Sequence, residues 1–321
     1  MPSKLSEFDL IKTFFEGLGP NSNEVCVGIG DDCAVINVPD DMSLCLSLDT
    51  MVEGVHFLPG APPRKIAYRA LAAAMSDLAA VGADPSHFTL SLTLPDSNSE
   101  WLSEFSLGLK GLAELFHFPL VGGDTTKGPL AIGIQVHGLV PKNQLLTRSK
   151  AQIGDVVAVT GTLGDAGAAL SLLTRDRREG EWLSESQKIL LDRYYSPSPR
   201  IEQGVQLRPL ANACIDISDG LLADAAHIAE KSSVKLEIDA TSLPLSQALL
   251  SEYKANANQL ALSAGDDYEL LFTISEANWE VLNHNDASNM YTKIGHVKQG
   301  AGVIVKGVSG EIENMGYQHF E

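Results

Sequence analysis

Glu24-Val25-Cys26-Val27-Gly28-Ile29-Gly30-Asp31-Asp32-Cys33-Ala34-Val35-Ile36 reads as strand, tight turn, strand, with two carboxylates at the turn. The same chemistry returns along the chain in short blocks: SLDT at 47–50, MSD at 75–77, VGGDTT at 121–126, DISDG at 216–220 and GDDYE at 265–269. Several of these blocks sit beside apolar runs that read as strands or helices. Gathered carboxylates repel unless a cation neutralises them. Aspartate with small hydroxyl residues is the oxygen-donor set that suits Mg²⁺, and Mg²⁺ carries phosphates. The pattern points to phosphate chemistry at a site with several metal ions.

The elements around these blocks set the fold class. Leu5, Phe8, Ile11 and Phe14 or Phe15 are spaced for a short amphipathic first helix. Leu44 to Leu48 is an apolar strand ending at Asp49. Arg64 to Val81 reads as a long helix with Gly82 as its C-cap. Phe88 to Leu94 alternates as a strand, Trp101 to Phe116 is helical, Leu120 to Val121 is a short strand before Gly122, and Ala131 to Val140 is a strand. A polar stretch at 141–154 precedes a fresh strand at Val156 to Thr160 and marks a domain boundary. Beyond it, Thr174 to Glu185 reads as an exposed helix-turn region. Ala213 to Ile217, Val234 to Ile238, Tyr268 to Ile274 and Gly302 to Val305 read as strands, and Leu221 to Lys231 as a helix. The strands are bounded by polar ends and do not form a run of parallel βαβ units. The expectation is α+β: two domains, 1–148 and 149–321, each a mixed or antiparallel sheet with helices on one face.

Composition narrows the function classes. The chain has 321 residues, enough for two cores, with 23 basic against 41 acidic residues and a formal charge of -18. That field argues against nucleic acid or an anionic membrane as the main partner. A metal cluster can still reverse the local sign for an anionic substrate. No segment has the length of a membrane span, and the first residues lack a secretory pattern, so a cytoplasmic location is expected. Cys26, Cys33, Cys45 and Cys214 form no CxxC pair and are expected as buried thiols.

No Walker A loop, protein-kinase motif set or GxGxxG fingerprint is present. If a nucleotide binds, the aspartates must hold it through cations. GIGDDCAVI, SLDTMVEGVHF, SDLAAVGADP, VGGDTTKGPL, LTRSKAQIGD, VTGTLGDAGAAL, IDISDGLLAD and GDDYELLF, in this order, resemble the thiamine-monophosphate kinases. These belong to the aminoimidazole ribonucleotide synthetase-like superfamily. The similarity runs from the first helix to the terminal GYQHF at 316–320. It implies transfer of the γ-phosphoryl of ATP directly to thiamine monophosphate, without a phospho-enzyme. It also implies Mg²⁺, a stimulatory K⁺, a homodimer built on the N-terminal domains, and ATP in a cleft between the two domains.

The resemblance also implies residue roles. Asp32, Ser47, Leu48, Asp49, Asp77, Asp124, Asp216 and Asp219 fall at metal positions, with Asp31 a turn stabiliser. Gly123, Asp124, Arg148 and Ser218 fall on ATP. His56, Asp266 and Tyr317 fall on the acceptor. No residue is implied as a covalent nucleophile; the metals, with Asp49, Asp124 and Arg148, carry the transfer. Leu48 stands where many relatives have Thr, which puts any contact through that side chain in doubt. Asp266 stands where relatives read Glu, and is shorter by about 1.5 Å. The rival readings are another ATP-using synthetase of the superfamily and a non-catalytic divalent-cation-binding protein.

Overall fold

The computed structural model describes residues 6–175, 182–286, 289–308 and 316–317. The chain divides into two compact units: Met1–Leu78 with Ala83–Asn143, and Ala79–Gly82 with Gln144–Glu321.

The first unit opens with α1 (Glu7–Phe14), started by a capping box between Ser6 and Asp9. Of the expected apolar stripe, Phe15 is buried, Ile11 and Phe14 are half-buried, Phe8 is exposed and Leu5 lies outside the described residues; Leu10 is buried in addition. A small hairpin follows, β1 (Val25–Val27) with β2 (Val35–Ile36). Then come β3 (Met42–Val52), α2 (Pro63–Ala80), β4 (Asp84–Leu94), α3 (Ser99–Leu115), β5 (Leu120–Lys127) and β6 (Ala131–Pro141). The main sheet has the order β3-β6-β4-β5; β4 and β5 are parallel and the other pairs antiparallel.

Two strands are longer than the sequence suggests. Asp49 lies inside β3 rather than at its end, because pairing with β6 continues from Met42 to Val52. Gly122, Gly123 and Asp124 lie inside β5, since parallel pairing with β4 runs on to Lys127. Gly123 makes that pairing feasible. Its φ is 152°, and a Cβ there would fall 1.9 Å from the Leu90 carbonyl oxygen.

The helices cover one face of this sheet. Phe88, Leu90, Leu92 and Leu94 of β4 are buried, as are Leu102, Phe105, Leu109 and Leu112 of α3. Strand β3 alternates: Ser47, Asp49 and Met51 turn inward, whereas Leu44, Leu46 and Leu48 are 40%, 57% and 62% exposed. An eleven-residue edge strand with an apolar outward stripe is thus left uncovered. Beside it the rings of His137 on β6 and His87 on β4 stack at 4.4 Å.

The second unit comprises β7 (Val156–Thr160), α4 (Asp165–Thr174), α5 (Glu185–Tyr195), α6 (Ile201–Leu207), β8 (Ala211–Asp216), α7 (Leu221–Ser232) and β9 (Lys235–Asp239). It continues with α8 (Gln247–Tyr253), α9 (Ala257–Ser263), β10 (Leu270–Ile274), α10 (Glu276–Asn285), β11 (Tyr291–Lys298) and β12 (Gly302–Lys306). The sheet order is β12-β9-β11-β7-β10-β8, antiparallel except for the β12–β9 pair. One core joins Val157, Val159, Ile215, Leu271 and Ile294 to Leu222, Ala225 and Ile228 of α7. Every residue of β7 and β10 is buried, so these central strands are covered on both faces, not on one. The expected exposed piece at 174–185 lies largely outside the described residues.

The cysteine expectation needs correction. None of the four forms a disulfide, but only Cys214 is buried; Cys26 and Cys33 are exposed and Cys45 is intermediate. The hairpin that carries Cys26 and Cys33 is too short to bury its side chains.

Burial, then the stacked His137, pushes His87 down from 6.5 to about 4, against a smaller upward pull from Glu24. The folded protein keeps this ring neutral where an unfolded chain would protonate it. Stability linked to His87 is therefore complete above pH 6.5 and is lost as the pH falls toward 4. Urea midpoints of the wild type and His87→Gln, compared across this range, should show the wild type losing ground steadily with acid. A constant gap between the two would contradict the assignment.

Candidate active site

In the first unit, alternation along β3 turns Ser47 and Asp49 toward α2. Asp77 of α2 meets them there, and the Ser47 hydroxyl donates to Asp77 Oδ2. Burial, reinforced by the charge of Asp77, pushes the Asp49 carboxyl up to about 6. Asp77 lies in the buried second half of α2, where Ala70 to Ala80 is apolar apart from Ser76 and Asp77 itself, and Met75, Leu78 and Ala79 beside it are buried. Leu48 points the other way and is exposed; only its backbone lies among the oxygen donors. His56 follows in a short bend after β3, where its Nδ1 accepts the Val52 N–H at 3.0 Å. That bond places the ring proton on Nε2, as a donor.

Asp31 and Asp32 lie in the β1–β2 hairpin loop. Asp31 Oδ1 accepts the Asp32 N–H at 2.8 Å, so Asp31 braces the turn while Asp32 is exposed. Gly123 and Asp124 are exposed on β5, beside Leu90 and Ser91 of β4. Strands β3 and β5 are opposite edges of the same sheet. Three strand spacings separate them, about 14 Å. Within one sheet, Asp49 and Asp124 cannot ligate the same ion. Among the described residues no three His, Cys, Asp or Glu side chains are grouped to hold a metal.

In the second unit, three separate segments converge. Strand β8 ends at Asp216, which is buried, and Ser218 and Asp219 follow in a loop before α7. The loop 264–268 is stitched onto it: the Asp266 N–H donates to the Ser218 carbonyl at 2.8 Å, the Tyr268 N–H to the Ile217 carbonyl at 2.8 Å, and the Ile217 N–H to the Glu269 carbonyl at 2.7 Å. A Cβ on Gly265 would stand 2.4 Å from the Ser218 carbonyl oxygen, so glycine is required for this approach. The Tyr317 N–H donates to the Asp219 carbonyl at 2.9 Å and brings the C-terminal tyrosine to the same loop. Arg148 is exposed; its carbonyl accepts the Ser232 hydroxyl at 2.9 Å, and among the described residues its guanidinium has no partner.

Two supports were not read from the sequence. Asp224 Oδ2 accepts the backbone N–H groups of Ser218, Asp219 and Gly220 at 3.1, 3.2 and 3.2 Å. Burial, then the charge of Asp219, pushes its carboxyl up to about 7 against the lowering by these bonds. The available signal was an acid inside the apolar run Leu221 to Ile228. Below the second loop, fully buried Glu269 accepts from Thr160 Oγ1 at 2.6 Å, Arg193 Nη2 at 2.8 Å and Arg200 Nε and Nη2 at 2.5 Å each. Asp267 beside it accepts the Gly164 N–H at 2.8 Å, and burial raises its carboxyl well above the ordinary range.

Comparison with known proteins gives consistent matches. Residues 30–140 match the N-terminal domain of the AIR synthase related proteins, and residues 152–307 match the C-terminal domain. A thiamine-monophosphate kinase of Escherichia coli is 43% identical over 320 residues, 98% of each chain. The crystal structure of the thiamine-monophosphate kinase from Stenotrophomonas maltophilia superposes with a TM-score of 0.84 at 40% identity, covering 89% of this chain and 92% of that one. AaThiL complexed with AMPPCP and TMP superposes at 0.80 and 36% identity, covering 98% and 97%.

Asp224→Ala would leave three loop N–H groups without their acceptor. The variant should lose about 2–4 kcal/mol of unfolding free energy, and Asp224→Asn, which keeps a carbonyl acceptor, about half of that. Chemical denaturation reads both. An unchanged midpoint for Asp224→Ala would show that the loop does not depend on this carboxylate.

Proposed function

The chain belongs to the thiamine-monophosphate kinase family, and from that premise we propose that its aspartate blocks carry a direct in-line transfer of the γ-phosphoryl of ATP to thiamine monophosphate. The overall reaction, ATP-dependent phosphorylation of thiamine monophosphate, follows from the family. The observation that carries the finer reading is the pairing of Asp49 with Asp77 under a helix, where burial and like charge disfavour ionisation. A cation relieves both penalties, and the donors present are all oxygens, the set that suits Mg²⁺.

Asp32, Ser47, Asp49, Asp77 and Asp124 of the first unit, and Asp216 and Asp219 of the second, would hold the ions. Leu48 would contribute a backbone carbonyl only. Bound Mg²⁺ supplies charge neutralisation for the phosphate oxygens. Gly123 lets the backbone approach the nucleotide, Ser218 offers a hydroxyl and Arg148 a planar fork to phosphate oxygens. His56, with its proton on Nε2, donates to the acceptor; Asp266 and Tyr317 hold its rings. The acceptor phosphate is already ionised near neutral pH, so the chain needs no base to create the nucleophile.

The partner we assign is a second copy of the chain. Strand β3 is a long edge with an exposed apolar stripe, Leu44, Leu46 and Leu48, and such edges are normally covered. Pairing this edge with the β5 edge of a second copy would join the two sheets into a closed barrel. It would also bring Asp124 of the partner subunit beside Asp49, which one sheet alone keeps about 14 Å apart. No helix among the described residues is long and apolar enough to cross a membrane.

Two measurements test this function. At saturating Mg·ATP, kcat/KM for thiamine monophosphate should exceed that for free thiamine by roughly four orders of magnitude, because the site is built for the phosphate. Comparable values would mean that an alcohol, not a phosphate, is the acceptor. The rate should also keep rising with free Mg²⁺ after ATP is fully complexed. A rate that follows Mg·ATP alone would remove the additional ions.

A further inference from the structure

Asp266 and Tyr268 are both L-residues in the left-handed region, with φ of 69° and 50°. Two such residues in one short loop are costly and persist only where the surroundings hold them. The hold is the pair of backbone bonds to Ser218 and Ile217 described above. Its consequence is that the two side chains meet across the bend: the Tyr268 hydroxyl donates to Asp266 Oδ1 at 3.0 Å. The Tyr268 ring is only 8% exposed, whereas Asp266 is half-buried at the loop surface.

A buried phenol needs an acceptor for its hydroxyl. Here the acceptor is a carboxylate at the site rather than a nearby carbonyl. A carboxylate on a surface loop samples several rotamers, and fixing one of them on ligand binding costs entropy. A hydrogen bond to a charged group is strong enough to fix that rotamer beforehand. We propose that Tyr268 is a positioning residue for the acceptor: its hydroxyl sets the Asp266 carboxylate to meet the thiamine moiety of thiamine monophosphate, whose aminopyrimidine offers N–H donors and whose thiazolium carries the positive charge. This rests on the acceptor role of Asp266 given above. The backbone bond of Tyr268 to Ile217 holds the loop frame independently, so the hydroxyl can be removed without releasing the frame.

Tyr268→Phe keeps the buried ring and removes only the hydroxyl. Its KM for thiamine monophosphate should rise about tenfold. Its kcat, its KM for ATP and its thermal midpoint should stay close to wild type. Asp266→Ala should raise the acceptor KM at least as much, and adding Tyr268→Phe to it should cause no further loss. If Asp266→Ala leaves the acceptor KM unchanged, the acceptor role of Asp266 falls and the proposal falls with it. If Asp266→Ala raises that KM but Tyr268→Phe does not, or the two losses add in the double variant, only the proposal for Tyr268 is overturned. A rise in both KM values with a lowered thermal midpoint would show that the hydroxyl is merely structural, and would also overturn it.

Discussion

Two half-buried carboxylates face each other in the first unit, and the register of one long strand puts them there. Asp49 and Asp77 meet between β3 and α2, with the Ser47 hydroxyl bonded to one of them. Burial and the charge of Asp77 both oppose ionisation of Asp49, and a nearby cation would relieve both. Alternation along β3 ties that cost to the opposite face. If Ser47 and Asp49 point inward, Leu44, Leu46 and Leu48 must point outward. The same strand therefore sets a half-buried carboxylate pair on one side and an uncovered apolar stripe on the other. The proposed metal site and the proposed self-association thus both follow from a single register.

The second unit uses carboxylates differently. Asp224 gathers three N–H groups of the loop that presents Ser218 and Asp219, and Glu269 gathers two arginines beneath the loop that presents Asp266. These acids bond to protein groups, and under the proposed function their neighbours hold ligand. Both loops are then locked to each other by backbone bonds. Such mutual restraint is what the proposed function would ask of them, since phosphoryl transfer depends on placement more than on covalent help.

The sequence made the chemistry legible and left the geometry hidden. Asp77 inside an apolar helix, glycines before Asp124 and the DISDG block were readable because each breaks a local rule of composition. Asp224 breaks the same rule in α7, but its role depends on a loop folding back over it. Glu269 opens an apolar strand, and its partners Arg193 and Arg200 are about seventy residues away in sequence. Strand β11 was not read at all: Gly295 interrupts its pattern, and its alternation is weak. Most consequential is sheet order. Nothing local reveals that β3 and β5 are opposite edges, so Asp49 and Asp124, which the sequence assigns to one expected metal site, stand apart within the sheet.

That separation makes the most direct test a subunit-complementation measurement. Asp49→Asn and Asp124→Asn chains, differently tagged, are co-expressed and the mixed dimer is purified. If each site takes Asp49 from one copy and Asp124 from the other, the mixed dimer keeps one intact site. It should recover about half the wild-type rate although both parent homodimers are inactive. The reciprocal dimer, of a wild-type chain with an Asp49→Asn/Asp124→Asn chain, should be inactive. A dead mixed dimer and a half-active reciprocal one would place both residues in a single copy's site and contradict the account.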